Sequence, residues 1–212
     1  MIWEKLDLLR DYALSCRKAI DLMISLLERQ LRLKPGALAE LHRIDHMSGD
    51  HIRFNQSATI PYAEERVRGG EHTDFGTLTI LFNWLGGLQI RKPDSDKWVW
   101  VKPVPGSAVV NLGDALVIFT AGILRSNVHR VAPPPGEQAN MTRGSLVYFS
   151  RPEDHVILRR LQGGLIDEQP VSTDALPEIT SSEWIMRRSL GDLRGVFTHK
   201  GGLELRGGAY LI

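Results

Sequence analysis

Apolar residues in the first thirty positions recur at alternating intervals of three and four: Leu6, Leu9, Ala13, Cys16, Ile20, Met23 and Leu27. That spacing predicts one amphipathic helix, with Lys5, Asp11, Arg17 and Glu28 toward solvent. Pro35-Gly36 ends it, and residues 37–43 (ALAELHR) predict a short second helix. From about residue 51 the period shortens. His51–Asn55, Thr77–Asn83, Leu88–Lys92, Trp98–Lys102, Ala108–Leu112, Ala115–Thr120, Ser126–Val131 and Gly144–Ser150 read as strands. Between them stand turn residues: Gly86-Gly87, Pro93-Asp94, Pro105-Gly106, Gly113-Asp114 and Pro133-Pro134-Pro135-Gly136. Short strands at close spacing predict a β-sandwich or barrel. Ser182–Leu190 predicts a short helix with Ser181 or Ser182 as its cap, and the Gly-rich end from Thr198 reads as loose or late-docking. The organisation expected is an N-terminal helical segment (1–47), a β domain (48–160) and a C-terminal appendage (161–212).

Composition narrows the function classes. The chain has 212 residues, 42% hydrophobic and 24% charged, with a net charge of +1. This is a globular composition without the basic excess of a nucleic-acid binder. No apolar run is long enough to span a membrane, and the charged N-terminus does not read as a signal peptide. With Cys16 the only cysteine, neither an intrachain disulfide nor a multi-cysteine metal site is possible, and a cytoplasmic location is expected. Cys16 lies on the apolar stripe and reads as a small buried hydrophobe. No GxGxxG, P-loop or GxSxG pattern is present.

The chemistry concentrates in His72-Thr73-Asp74 and in His129, 57 residues further on. On extended backbone, residues i and i+2 point to one side, so an imidazole and a carboxylate can grip one ion. A second imidazole from another strand completes a facial 2-His-1-carboxylate set, the arrangement of non-haem Fe(II) oxygenases. Taken alone, an HxD is also what a turn histidine beside a capping aspartate looks like. Arg143-Gly144-Ser145 opens an apolar strand 14 residues past His129. A guanidinium fork and a hydroxyl on one strand face suit a carboxylate. A metal triad beside a carboxylate clamp fits a dicarboxylate co-substrate. Phe75, Leu81, Phe82 and Trp84 read as core, Trp98 and Trp100 as packing, and the stretch VAPPPG as a connector. His42, His46, His51, His155 and His199 read as surface or local structural residues.

The ordered set HTD, GGLQI, the Trp98/Trp100 strand, VNLGD, NVHRV and RGS resembles the iron/2-oxoglutarate-dependent dioxygenase family. Within it the likeness is greatest to the isopenicillin N synthase-like branch in its fungal style, over about residues 50–155. The resemblance implies a mainly β fold, a double-stranded β-helix (jelly roll) with flanking α-helices. It places Fe(II) on His72, Asp74 and His129, and the distal carboxylate of 2-oxoglutarate on Arg143 and Ser145. Asn55 matches an asparagine the branch carries ahead of the HxD. Ser57 stands where the branch often has tyrosine. The implied activity is O₂-dependent oxidation of a small molecule, such as a fungal secondary metabolite, by hydroxylation, desaturation or ring formation, with release of succinate and CO₂. Members usually carry a further N-terminal region that shares in the substrate pocket.

Two alternatives stay open on the sequence: an isopenicillin N synthase-like oxidase that uses no 2-oxoglutarate, and a truncated, non-catalytic metal-binding relative. The Arg143/Ser145 clamp argues against a zinc hydrolase, which needs only an activated water. The implied partner is a small-molecule substrate, with no nucleic acid and no membrane. Oligomeric state is not legible in the pattern.

Overall fold

The structure, a computed structural model, describes residues 3–57, 68–93, 95–171 and 178–193. Helix α1 spans Leu6–Gln30. Cys16, Ile20 and Ile24 are its buried apolar residues, with Leu9, Ala13, Met23 and Leu27 half-buried and Leu6 exposed. Full burial of Ile20 or Ile24 contributes roughly 1.5–3 kcal/mol each. Two residues expected in solvent are buried instead. Arg17 lies along the core and pairs with Asp21 at 2.7 Å. Glu28 accepts the backbone N–H groups of Gly36, Leu38 and Ala39 at 3.1, 2.7 and 2.9 Å, which folds the following loop back onto the helix. The predicted helix over 37–43 reduces to a 3₁₀ turn, Ala39–Leu41.

Eight strands follow: β1 (His51–Ser57), β2 (Arg68–His72), β3 (Leu78–Asn83), β4 (Leu88–Arg91), β5 (Trp98–Trp100), β6 (Val109–Leu112), β7 (His129–Val131) and β8 (Arg143–Ser150). They form two four-stranded sheets, β1-β8-β3-β6 and β2-β7-β4-β5, in which every pairing is antiparallel. Two facing antiparallel sheets with helices outside are the jelly roll expected from the sequence. The sequence pattern missed β2, whose RGGEH lacks apolar alternation. It also read Ala115–Thr120 as a strand. That run is the helix α2 (Asp114–Phe119), every residue of which is buried. An apolar run buried on all sides carries no period to separate strand from helix.

The register divides the first sheet into two faces. Ile52, Tyr148, Leu78, Ile80, Phe82 and Leu112 point outward, join Cys16, Ile20 and Ile24 of α1, and share a cluster with α2. Tyr12 of α1 meets Phe82 edge-on at 6.0 Å. Arg143, Ser145, Val147 and Phe149 of β8 point inward, as do Asn55 and Asn111 by their pairing. After a short helix α3 (Gly164–Asp167), helix α4 (Ser181–Leu193) packs Trp184 and Ile185 on the same cluster. Thr180, not Ser181 or Ser182, is its cap. The Glu183 N–H donates to Thr180 Oγ1 at 3.2 Å and the Thr180 N–H to Glu183 Oε2 at 3.0 Å, a reciprocal capping box. The Gly-rich segment from Thr198 and His199 lie outside the described residues. Among the described residues, no helix is long and apolar enough to cross a membrane.

Candidate metal centre

β2 ends at His72, β7 begins at His129, and the two are cross-strand partners. The four steps of β2 from Arg68 to His72 run beside two of β7, from Val131 to His129, so β2 bulges just ahead of His72. The two imidazoles lie side by side with centroids 4.3 Å apart. Asp74 follows in the turn, and its Oδ1 is 3.8 Å from His129 Nε2. One ligand atom from each of His72, Asp74 and His129 falls within 4.8 Å of the others, and this is the one such set of three or more His, Cys, Asp or Glu among the described residues.

The surrounding groups orient these donors. His72 Nδ1 lies 2.9 Å from the Gly70 carbonyl, and His129 Nδ1 lies 3.1 Å from that of Asn127. A carbonyl only accepts, so each Nδ1 carries a proton, which leaves Nε2 as the nitrogen able to bind an ion. Asn111 donates to Asp74 Oδ2 at 2.6 Å, which leaves Oδ1 on the side of His129. Two imidazoles with fixed tautomers and one anchored carboxylate suit a divalent transition metal. The donor chemistry thus fits the ferrous ion implied by the sequence.

Behind the ligands lies a buried polar knot. Asp114 accepts from Thr73 Oγ1 at 2.8 Å, from Ser126 Oγ at 2.6 Å and from Arg188 Nη2 at 3.1 Å. Thr73 sits between two of the candidate ligands, Ser126 three residues before the third, and Arg188 on α4. Burial pushes the Asp114 carboxyl up; Arg188 and the two hydroxyls oppose that. The backbone is tied as well, with Asp114 N–H on the Asp74 carbonyl at 2.8 Å and Ala115 N–H on that of Gly76 at 3.0 Å. Glycine is required at 113, because a Cβ there would lie 2.2 Å from the Gly76 oxygen. The sequence had marked VNLGD only as a turn; Asn111, Thr73, Asp114, Ser126 and Arg188 were missed. The visible signal was polar residues set into an otherwise apolar stretch.

Arg143 and Ser145 lie inward on β8, both buried, and Asn55 stands opposite Ser145 as its cross-strand partner. Arg143 Nε donates to the Gly86 carbonyl at 2.9 Å, which aims the rest of the fork away from that carbonyl. Burial lowers the affinity of this guanidinium for its proton. Gly87, at φ +102°, passes so close that a Cβ would meet the Ala132 oxygen at 2.6 Å and Arg143 Nε at 3.3 Å. Asn55 is exposed at the open side of the sheet.

Two aromatic residues differ from expectation. Trp84 is 72% exposed and is not core, and Trp100 is 48% exposed and packs little. Trp98 does pack, under the Arg130 guanidinium 4.0 Å from its ring centroid. His42 is fully buried, with Nδ1 on the Leu38 carbonyl at 2.8 Å and Nε2 on Thr77 Oγ1 at 2.6 Å. Burial lowers its pKa, so it acts as a neutral structural link. His46 and His155 flank Glu153 at 3.1 and 3.7 Å. The VAPPPG loop leads into a 3₁₀ turn, Gly136–Asn140, whose Gln138 accepts the Gly86 N–H at 2.9 Å.

The signature of the 2OG-Fe(II) oxygenase superfamily matches residues 49–152. A 2-oxoglutarate-dependent dioxygenase of Aspergillus fumigatus is 36% identical over 192 residues, covering 80% of this chain and 49% of that protein. The chain belongs to this superfamily. The crystal structure of JOX2 in complex with 2OG, Fe and JA superposes with a TM-score of 0.71 at 27% identity, covering 87% of this chain and 51% of that one. The dioxygenase for auxin oxidation in rice matches with a TM-score of 0.66 at 23% identity, over 88% of this chain and 58% of that one, a likeness of fold. This 2OG-Fe(II) oxygenase chain spans about half the length of the curated relatives it matches.

Proposed function

We propose that this chain carries the catalytic core of a non-haem Fe(II)- and 2-oxoglutarate-dependent dioxygenase acting on a small organic molecule, a secondary metabolite in keeping with its fungal relatives. The observation that carries the reading is the convergence of His72, Asp74 and His129 within 4.8 Å, with both histidines presenting Nε2. When bound, Fe(II) and 2-oxoglutarate supply the oxidising chemistry, in the hydroxylating case substrate C–H plus 2-oxoglutarate plus O₂ giving C–OH, succinate and CO₂.

The chain's own residues hold, orient and shield. His72, Asp74 and His129 would hold the ion. Asn111 keeps the second oxygen of Asp74 occupied, which leaves Oδ1 as the oxygen that would face the ion. Arg143 and Ser145 take the distal carboxylate of 2-oxoglutarate, and Asn55 borders that place from β1. The low exposure of Arg143 strengthens a charge-assisted bond and keeps water from competing for it. An oxidase that omits 2-oxoglutarate would need the same clamp for its substrate; the fungal relatives, named as 2-oxoglutarate-dependent dioxygenases, favour 2-oxoglutarate.

The test is succinate formation from 2-oxoglutarate under air, with Fe(II) and ascorbate as reductant and no added substrate. Slow turnover is expected, lost in Asp74→Ala. In Arg143→Ala the 2-oxoglutarate requirement rises roughly tenfold to a hundredfold, the loss of one charge-assisted pair. Succinate formed at the wild-type rate by Asp74→Ala contradicts the reading.

A further inference from the structure

The inner face of the first sheet has a second cationic end. Asn111, which holds Asp74, pairs with Thr79; Thr79 pairs with Phe149, and Phe149 with His51. The row from His51 to the metal centre therefore crosses one sheet face, with Phe149 about two strand spacings, or ~10 Å, from Asn111. Three groups lie along this end of the face, two of them against the Phe149 ring. The Arg53 guanidinium carbon lies 5.1 Å from the Phe149 centroid, on an exposed stretch of β1. The His51 ring stacks on Phe149 at 4.7 Å. Its Nδ1 donates to the Gly49 carbonyl at 2.9 Å, which leaves Nε2 a buried acceptor with no hydrogen-bond donor among the described residues. Arg151 continues the inward positions of β8, with its stem wedged between Gly49 and Gly76; a Cβ on either glycine would approach it to 2.8 Å.

Arg53 and Arg151 act on each other, and both act on His51. Among the described residues, neither arginine has a carboxylate within ion-pairing distance. Of the acids that act on Arg151, the two strongest are committed elsewhere and Asp154 acts on it least. Asp50 accepts the Tyr148 hydroxyl at 2.9 Å and the Arg151 backbone N–H at 2.6 Å. Asp74 is held by Asn111 and belongs to the metal centre. Guanidinium groups held close without a paired counter-charge destabilise each other, the more so where one is half-buried, and an anion removes that cost.

We infer that Arg53, over the Phe149 ring, and Arg151, two residues past Phe149 along the chain, form a carboxylate subsite, so that the substrate of this dioxygenase is an organic acid. The inference rests on the dioxygenase reading above and names its substrate class. The subsite is not the co-substrate clamp: Arg151, just past the end of β8, lies eight residue steps from Arg143, about 26 Å of strand. A substrate carboxylate at Arg151 places the remainder of a small molecule along the row toward Asp74.

The test is equilibrium dialysis of the protein loaded with Fe(II) and saturating 2-oxoglutarate under argon. The probes are 4-hydroxybenzoate, 4-hydroxyphenylacetate and 3-(4-hydroxyphenyl)propionate, each against its primary amide, with phenyl phosphate as the second anion. At least one acid binds tenfold or more above its amide. Arg53→Met and Arg151→Met each lower that acid's affinity about tenfold and leave the amide unchanged. Arg53 is exposed, so its variant loses only the contact with the Phe149 ring and should still fold. Acids that bind no better than amides, or an Arg53→Met protein that binds them unchanged, overturn the inference, as does phenyl phosphate binding above every acid. A 2-oxoglutarate titration of the same samples separates the two levels. If 2-oxoglutarate binds and the acids do not, the subsite alone fails; if 2-oxoglutarate does not bind, the dioxygenase reading fails and takes the subsite with it.

Discussion

Behind the β1-β8-β3-β6 sheet stands an apolar layer, in which Cys16, Ile20 and Ile24 of α1 and all the apolar residues of α2 close over Ile52, Ile80, Phe82 and Tyr148. The described residues of the β2-β7-β4-β5 sheet contribute nothing to that cluster. Its strands are joined by polar contacts centred on Arg130, which pairs with Glu71 at 3.5 Å, donates to Gln89 at 2.8 Å and covers Trp98 at 4.0 Å. Yet the second sheet carries both histidines of the candidate metal centre, and the first carries Arg143, Ser145 and Asn111. The site is thus built from one rigid, hydrophobically anchored wall and one polar wall that the metal itself would complete. Metal binding adds to folding stability most where the apo state is least secured.

That contrast can be broken. Loss of a ligand should act on metal and hardly on the fold. His129→Ala should lower affinity for Co(II), used as a spectroscopic stand-in, more than a hundredfold, one ligand's share of a site being roughly 3 kcal/mol, while the apo Tm stays put. A substitution in the anchored wall should do the reverse. Ile24→Ala should cost about 2–5 kcal/mol in urea unfolding, with or without metal. If Ile24→Ala instead weakens Co(II) binding as much as His129→Ala, the two walls are not separable.

Smaller changes sharpen it. Arg130→Met should cost about 1–2 kcal/mol, from one hydrogen bond and one cation–π contact, and should speed amide exchange in β4, β5 and β7 while β1 and β3 stay protected. The smallest effect lies on the anchored side. The Arg43 guanidinium, at 2.8 Å, holds the Glu153 carboxyl at about 2 rather than its ordinary 4.5. Its folded value is depressed, so its stabilisation is present above pH 4.5 and is lost as the pH falls from 4.5 through 2. Tm followed across that window should fall less steeply in Glu153→Gln.

Legibility in the sequence followed the same division. The anchored wall has periodic apolar residues, and α1, β1, β3 and β8 were readable from them. β2 was not, since RGGEH is polar and bulged; nor was α2, whose DALVIF is buried on every side. Within the candidate site, HxD, the second histidine and RGS stand out in the sequence because the proposed chemistry needs those residue types at those spacings. Asp114, Ser126 and Arg188 could not, because a buried polar knot is defined by contacts between residues up to 115 positions apart, as for Arg188 and Thr73. Arg17 and Glu28 were placed in solvent because a helical period weighs side chains by type. Glu28 is buried by loop N–H groups eight to eleven residues on, and the Arg17 stem lies against the core.

The most direct measurement is anaerobic titration of the apo protein with Fe(II) and 2-oxoglutarate, watching the visible metal-to-ligand charge-transfer absorption. One equivalent of each should raise the band in the wild type. The band should be absent in Asp74→Ala, and in Arg143→Ala it should appear only at raised 2-oxoglutarate. A band of full intensity in Asp74→Ala, or none in the wild type, would contradict a ferrous centre held by His72, Asp74 and His129.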